Sequence, residues 1–200
     1  MIVGKKDFPA QDLKELMAWL KANPGKASVG IPGVGSTGHL AGIAFQKETG
    51  TAFQVVPYRG NAPAMQDLVA GQIDLMIEPA SNFYAQVRGG TIKPYAITSK
   101  TRIGAAPEIP TADEAGVPGF QATLWYGLWV PKGTPKEVIA RLNGVMMETL
   151  ADPAVQKRFA ELGLEAPPRQ QQTPDTLRAF QKQEADKWWP IIKDANIRPQ

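Results

Sequence analysis

The sequence predicts an α/β protein built on a largely parallel sheet. Three observations carry that expectation. Apolar residues switch repeatedly between helical spacing and short extended runs, as a chain alternating strand and helix requires. The segment 73–77 is almost continuously apolar, the mark of a strand covered on both faces. A glycine-rich turn at 33–38 separates an extended segment from a helical one.

Taken in order, Leu13, Leu16, Met17 and Leu20 recur at three- and four-residue spacing and predict an amphipathic helix ending near Asn23-Pro24-Gly25. Residues 27–31 read as a short strand and 39–48 as a helix stopped by Gly50. A strand at 53–56, a helix at 62–70, the strand at 73–77, a helix at 81–88 and a strand at 94–98 complete the alternation. From about residue 120 the pattern changes. Residues 123–130 form an aromatic-rich extended run, in which strand alternation puts Trp125 and Trp129 on one face and Tyr126 on the other, with core packing as their expected role.

Three helices follow. Thr134-Pro135-Lys136-Glu137 offers a Thr cap, a Pro at the first helical position and a Glu three residues after the cap. Val138, Ile139, Leu142, Val145 and Met146 then form a stripe expected to be buried. Asp152-Pro153 and Thr173-Pro174 open the next two helices in the same way, and Trp188-Trp189 read as helix packing.

Composition removes several function classes. With 200 residues, 43% of them hydrophobic, the chain suits one larger domain or two small ones. Basic and acidic residues number 22 and 19 and are interspersed, so the net charge of +3 describes a solvated surface and not a nucleic-acid footprint. The absence of cysteine excludes a disulfide framework, a thiol nucleophile and thiolate-bound zinc. A single histidine leaves little scope for a metal site or a His-based triad, and no carboxylate pair stands out as an acid/base dyad. No enzyme activity, metal or cofactor is therefore expected. No segment is long and apolar enough to span a membrane, and residues 1–6 lack the apolar run of a signal peptide.

Three segments point to a binding site. Gly33-Val34-Gly35-Ser36-Thr37-Gly38-His39 follows a predicted strand and opens a predicted helix. Its glycines allow a tight turn and close approach to backbone amides, the helix N-terminus favours an anion, and Ser36 and Thr37 add hydroxyl donors. A carboxylate or a phosphate fits; a plain strand-to-helix turn is the competing reading. His39 is expected to brace the loop. The second segment, Pro57-Tyr58-Arg59-Gly60, repeats the strand-to-helix context, with Arg59 able to pair bidentately with a carboxylate and Tyr58 able to line a pocket or pack on the sheet. The third places Glu78 just after a buried strand, beside Ser81 and Asn82, while Asp74 is expected to hydrogen-bond locally. Ligands of open α/β sheets bind beyond the carboxyl ends of strands, so these three tips are expected on one edge.

The glycine segment also matches the dinucleotide pattern G-x-G-x-x-G. The acidic residue expected about 20 positions on is replaced by Val56-Pro57-Tyr58-Arg59. Arg59 would serve a 2′-phosphate, so an NADP-binding oxidoreductase fragment stands as an alternative.

Together these residues resemble the Bug family, the substrate-binding proteins of tripartite tricarboxylate transporters. The resemblance rests on Pro24-Gly25-Lys26, the 33–40 loop, Val56 to Ala64, and Gly71-Gln72-Ile73-Asp74-Leu75-Met76. It continues through Thr98-Ser99, Ile109-Pro110-Thr111, Glu114-Ala115-Gly116, Trp125-Tyr126-Gly127-Leu128, Gly133-Thr134-Pro135, Leu150-Ala151-Asp152-Pro153 and Leu162-Gly163.

The resemblance implies a type II periplasmic binding protein-like fold, with a complete second domain over 1–122 and the crossing strand and C-terminal helices of an incomplete first domain over 123–200. It implies a periplasmic receptor for a small carboxylate, held by Gly33, Gly35, Ser36, Thr37, His39, Tyr58, Arg59, Gly60, Glu78 and Ser81, with a membrane permease as partner in full-length relatives. Family members often carry Asp where this chain has Glu78, which bears on ligand selectivity. The helices lack the sheet they normally cover, which leaves room for a homo-oligomer, or for a truncated remnant that binds nothing.

Overall fold

The computed structural model describes residues 1–197. By internal contacts the chain divides into two compact units. One comprises Met1–Leu124 with the described residues from Pro190 on, and the other is Trp125–Trp189.

The first unit holds β1 (Ile2–Lys5), α1 (Leu13–Ala22), β2 (Ser28–Ile31), α2 (Thr37–Thr49), β3 (Gln54–Pro57), α3 (Asn61–Val69), β4 (Leu75–Ile77), α4 (Tyr84–Arg88) and β5 (Ile92–Ala96). The strands form one sheet in the order β3-β2-β4-β1-β5. β2 runs parallel to β3 and β4, while β1 is antiparallel to both of its neighbours, β4 and β5. Four strands therefore share one direction, as the sequence led us to expect, and the chain's first strand opposes them near the middle.

Strand alternation divides the apolar residues between the two faces of the sheet. Ile2, Val29, Ile31, Leu75, Ile77 and Tyr95 enter one core with Leu13, Leu16 and Leu20 of α1 and Phe45 of α2. Val3, Met76, Ile92 and Ile97 enter the other with Ala64 and Leu68 of α3. The result is a helix–sheet–helix sandwich. Each of the three α1 leucines is fully buried and contributes about 2 kcal/mol by removal from water. Asp12 starts that helix by accepting the Glu15 amide at 2.8 Å.

Asp74 corrects the expectation of a local hydrogen bond. Its carboxylate accepts the Ser28 amide at 2.8 Å and the Ser28 hydroxyl at 2.9 Å, and pairs with Lys5 at 2.7 Å. It thus joins the beginnings of β2 and β4 to the end of β1, because parallel neighbours bring residues 46 positions apart side by side.

The second unit holds α5 (Lys136–Ala151), α6 (Pro153–Leu162) and most of α7 (Pro174–Asp194). Asp152 caps α6 through the Ala154 and Val155 amides, and Thr173 accepts the Thr176 amide at the start of α7. Trp125 packs edge-on against Phe180 at 5.1 Å and lies 5.8 Å from Trp129. Its indole N–H and that of Trp188 both donate to Glu184 Oε2.

Four expectations fail here. Residues 123–130 alternate like a strand yet join no sheet, since an extended run becomes a strand only beside a partner ladder. Thr134 does not cap α5: its hydroxyl donates to the Pro131 carbonyl at 2.9 Å, and the cap position falls on Pro135, which offers no side-chain acceptor. The α5 stripe is not buried, for Val138, Leu142, Val145 and Met146 are exposed and Ile139 is only half-buried. Nor are all the aromatics packed, for Tyr126, Trp129 and Trp189 are exposed. Helical spacing reports which residues share a face, but what covers that face lies outside the pattern.

Candidate carboxyl-edge site

The parallel register sets Ile31 beside Pro57 and Gly30 beside Met76. The chain therefore leaves β2, β3 and β4 at one edge of the sheet, and the three sequence-predicted segments meet there. Two of them open helices, α2 and α3, whose first-turn amides have no intrahelical acceptor.

After β2, Gly33 and Gly35 take φ of 141° and 81°, conformations that L side chains rarely adopt. They turn the chain so that Ser36 becomes the N-cap of α2, accepting the His39 amide at 3.3 Å. The Ser36 hydroxyl proton stays free to donate. His39 Nδ1 accepts the Gly35 amide at 3.1 Å, which places the ring proton of the neutral imidazole on Nε2. Burial lowers the His39 pKa and keeps that acceptor available. The imidazole thus braces the loop. Thr37 and Gly38 occupy the first turn of α2.

After β3, the Tyr58 amide donates to the Ile31 carbonyl at 2.8 Å and extends the ladder. The Tyr58 hydroxyl donates to Asp67 Oδ2 at 2.7 Å; burial and this carboxylate push its pKa up to about 12. Its hydroxyl proton is committed to α3, and its ring packs over Gly30 of β2 and against the core that holds Ala64 and Leu68. Arg59 is exposed, with no ion pair among the described residues. Gly60, at φ 106°, is the N-cap of α3 and supplies no side chain there, which leaves Asn61 as the first helical residue.

After β4, Glu78 is only 6% exposed. Burial raises its pKa to about 7, against the opposing pull of the Gly38 amide and the Asn61 side chain. Its Oε1 completes no hydrogen bond, and neither does Asn61 Oδ1. Ser81 sits exposed in the single turn Ala80–Asn82. Asn61 was not singled out from sequence. Its signal was present in the Gly-Asn pair opening a helix after a strand, but only the fold brings it beside Glu78.

No cluster of three or more His, Asp or Glu able to hold a metal exists among the described residues. No described helix is long and apolar enough to cross a membrane. The α/β sandwich thus gathers the N-termini of α2 and α3, with Ser36, Asn61 and Glu78, at the carboxyl edge of a mixed sheet, the edge at which open α/β sheets bind their ligands.

The chain belongs to the tripartite tricarboxylate transporter family of receptors, whose sequence profile matches residues 1–197. It is 36% identical over 194 residues to a UPF0065 protein of Agrobacterium vitis, covering 97% of this chain and 56% of that one. Among solved structures it is similar to the periplasmic binding protein BugD, with 38% identity and a TM-score of 0.83 over 100% of this chain and 66% of that one. It is likewise similar to MatC of Rhodopseudomonas palustris with bound malate, with 32% identity, a TM-score of 0.84, and 96% and 65% covered. The chain thus spans between about half and two thirds of these relatives. Neither the dinucleotide reading nor that of a non-binding remnant gains support from these matches.

Proposed function

We propose that this chain is the ligand-binding part of a periplasmic receptor that captures a small carboxylate for a tripartite tricarboxylate-type transporter, without catalysing a reaction on it. The observation that carries the reading is the meeting of the first turns of α2 and α3 at one sheet edge, in a chain whose family includes a malate-bound structure. Free amides and the positive ends of two helix dipoles favour an anion there. Ser36 and Thr37, with the amides of 33–38, hold one ligand carboxylate. Arg59 supplies a second contact, the Tyr58 ring forms a wall, and Glu78 and Ser81 meet polar groups on the ligand.

On this reading residues 1–122 are the second lobe of the family's fold. Residues 123–197, the described part of the segment 123–200, are the crossing segment and helices that belong with the first lobe, and a membrane permease is the partner; residues 198–200 lie outside the described residues.

Calorimetric titration with malate, adipate and NADPH in parallel tests the assignment. Saturable binding of a carboxylate, weakened at least tenfold in the Ser36→Ala/Thr37→Ala double variant, supports it; a factor of ten corresponds to about 1.4 kcal/mol, a modest share of two charge-assisted contacts. Binding of NADPH alone would overturn it.

A further inference from the structure

The carboxyl of Glu78 packs against Gly38 in the first turn of α2, next to the amides assigned above to a ligand carboxylate. Gly38 is the second residue of α2, and only its lack of a side chain lets Glu78 approach. On the other side stands Asn61, the first residue of α3. Glu78 Oε1 and Asn61 Oδ1 are both buried and complete no hydrogen bond, although the Gly38 amide and the Asn61 side chain approach the carboxyl. A buried carboxyl whose Oε1 completes no hydrogen bond is costly to keep ionised, and a proton on it removes the charge and adds a donor.

The remaining groups near this carboxyl come from the residue before β1, from α2 and from the turn before α3. From the residue before β1, the Met1 amino group donates to the Glu78 carbonyl at 2.8 Å and to the Thr98 hydroxyl at 3.4 Å; burial lowers its pKa to about 5, against the pull of Glu78, so it carries little charge near neutrality. From α2 come the Gly38 amide and, one residue on, His39, whose Nδ1 is turned to Gly35. From the turn before α3 comes Arg59, which is exposed.

We propose that Glu78, set against Gly38 in the first turn of α2 and beside Asn61 in the first turn of α3, is a neutral carboxylic acid whenever this edge holds a carboxylate, so that the ligand is captured together with one proton. The inference rests on the carboxylate reading above and deepens it. Two ionised carboxylates at one helix end repel each other, so the incoming one favours the protonated form of the resident one. The proton comes from solvent and goes to Glu78; no bond of the ligand changes. The raised Glu78 pKa is consistent with this arrangement.

The test is calorimetry of malate binding to the full 200-residue chain, in buffers of different ionisation heat, on both sides of the Glu78 midpoint. We expect uptake approaching one proton per malate above the midpoint, and affinity falling about tenfold per pH unit there. Glu78→Gln is expected to bind malate with no such uptake and a flat profile. Malate binding without proton uptake, or an unchanged pH slope in Glu78→Gln, would overturn the inference while leaving the carboxylate reading intact. Tighter binding of aspartate than malate with rising pH, and with proton release, would overturn it in favour of an ionised Glu78 that pairs with an ammonium group. Absence of any malate heat would count against the carboxylate reading itself. A second readout does not need malate: the Glu78 carboxyl-carbon NMR titration midpoint is expected to move up when formate is added, and an unmoved midpoint overturns the inference.

Discussion

Gly38 stands so close to Glu78 that a Cβ on the glycine would overlap the carboxyl oxygen Oε1 and lie 2.5 Å from the Ile77 carbonyl. The first turn of α2 and the tip of β4 are fitted to each other around the absence of one methyl group. The amide face of the turn and the buried acid are in this way parts of one packing unit, and the two can be separated only by substitution.

Gly38→Ala is expected to destabilise the first unit by about 1–3 kcal/mol, the usual cost of inserting a methyl group into a filled interior. Urea denaturation measures it. In a Glu78→Ala background the cost shrinks, since one of the two obstacles is gone while the Ile77 carbonyl remains. The double-mutant cycle then shows a coupling well above the few tenths of a kcal/mol expected of independent sites. An additive cycle would mean that the two residues do not share the space as the structure has it.

Glu78 also leaves a mark on stability without any ligand. Its pKa rises from the ordinary 4.5 to about 7, with burial the first cause. Between these values the unfolded chain is ionised and the folded one carries a proton, so the folded state binds more protons and stability falls as pH rises. The contribution is fully present below pH 4.5 and is lost through pH 7. Denaturation midpoints of the wild type against Glu78→Gln across that window are expected to converge at the acid end and diverge toward neutrality, with the Gln variant the more stable at pH 7 and above. Parallel curves would rule out a titrating Glu78.

Asp74 gives the opposite slope. Burial opposes its ionisation, but the hydrogen bonds from Lys5 and from the Ser28 amide and hydroxyl, with the Lys5 charge, outweigh burial and hold its pKa below the usual carboxylate value. Such a group stabilises the fold above its unfolded pKa, near 3.9, and the stabilisation is lost as pH falls through the lower folded value. Asp74→Ala is expected to cost about 1–3 kcal/mol at neutral pH, because it leaves the Ser28 donors unmatched. The loss is expected to narrow in acid, which thermal melts at two pH values would show. An equal loss at both would mean that the cost is packing and not charge.

These residues mark where the sequence was legible and where it was not. The sheet was readable because its signals are local: Leu13, Leu16 and Leu20 share one helix face, and residues 73–77 are apolar throughout. The edge to which Ser36, Arg59 and Glu78 belong followed from a topological rule applied to three strand ends. What could not be read were facts of long-range pairing. Asp74 looks like a residue that caps its own turn until β2 and β1 are laid beside it. Asn61 has no distinction until α3 starts next to Glu78. The antiparallel insertion of β1 between β4 and β5 is invisible in four residues, and the α5 stripe states a face without stating its cover.

The caps of α5 and α6 make the same point in measurable form. From sequence, Thr134 and Asp152 look alike, each followed by a proline that opens a helix. In the structure Asp152 accepts two first-turn amides of α6, at 2.7 and 3.3 Å, whereas the Thr134 hydroxyl has turned away to the Pro131 carbonyl. Asp152→Ala is therefore expected to cost about 1 kcal/mol of helix stability. Thr134→Ala removes no acceptor from α5 and is expected to cost a few tenths of a kcal/mol, since only one partly solvated turn bond is lost. Hydrogen exchange of the first-turn amides separates the cases: Ala154 and Val155 lose protection in the first variant, while the amides of Glu137 and Val138 keep theirs in the second. Equal losses would show that Thr134 caps α5 in solution after all, and that the hydroxyl exchanges between the Pro131 carbonyl and the helix.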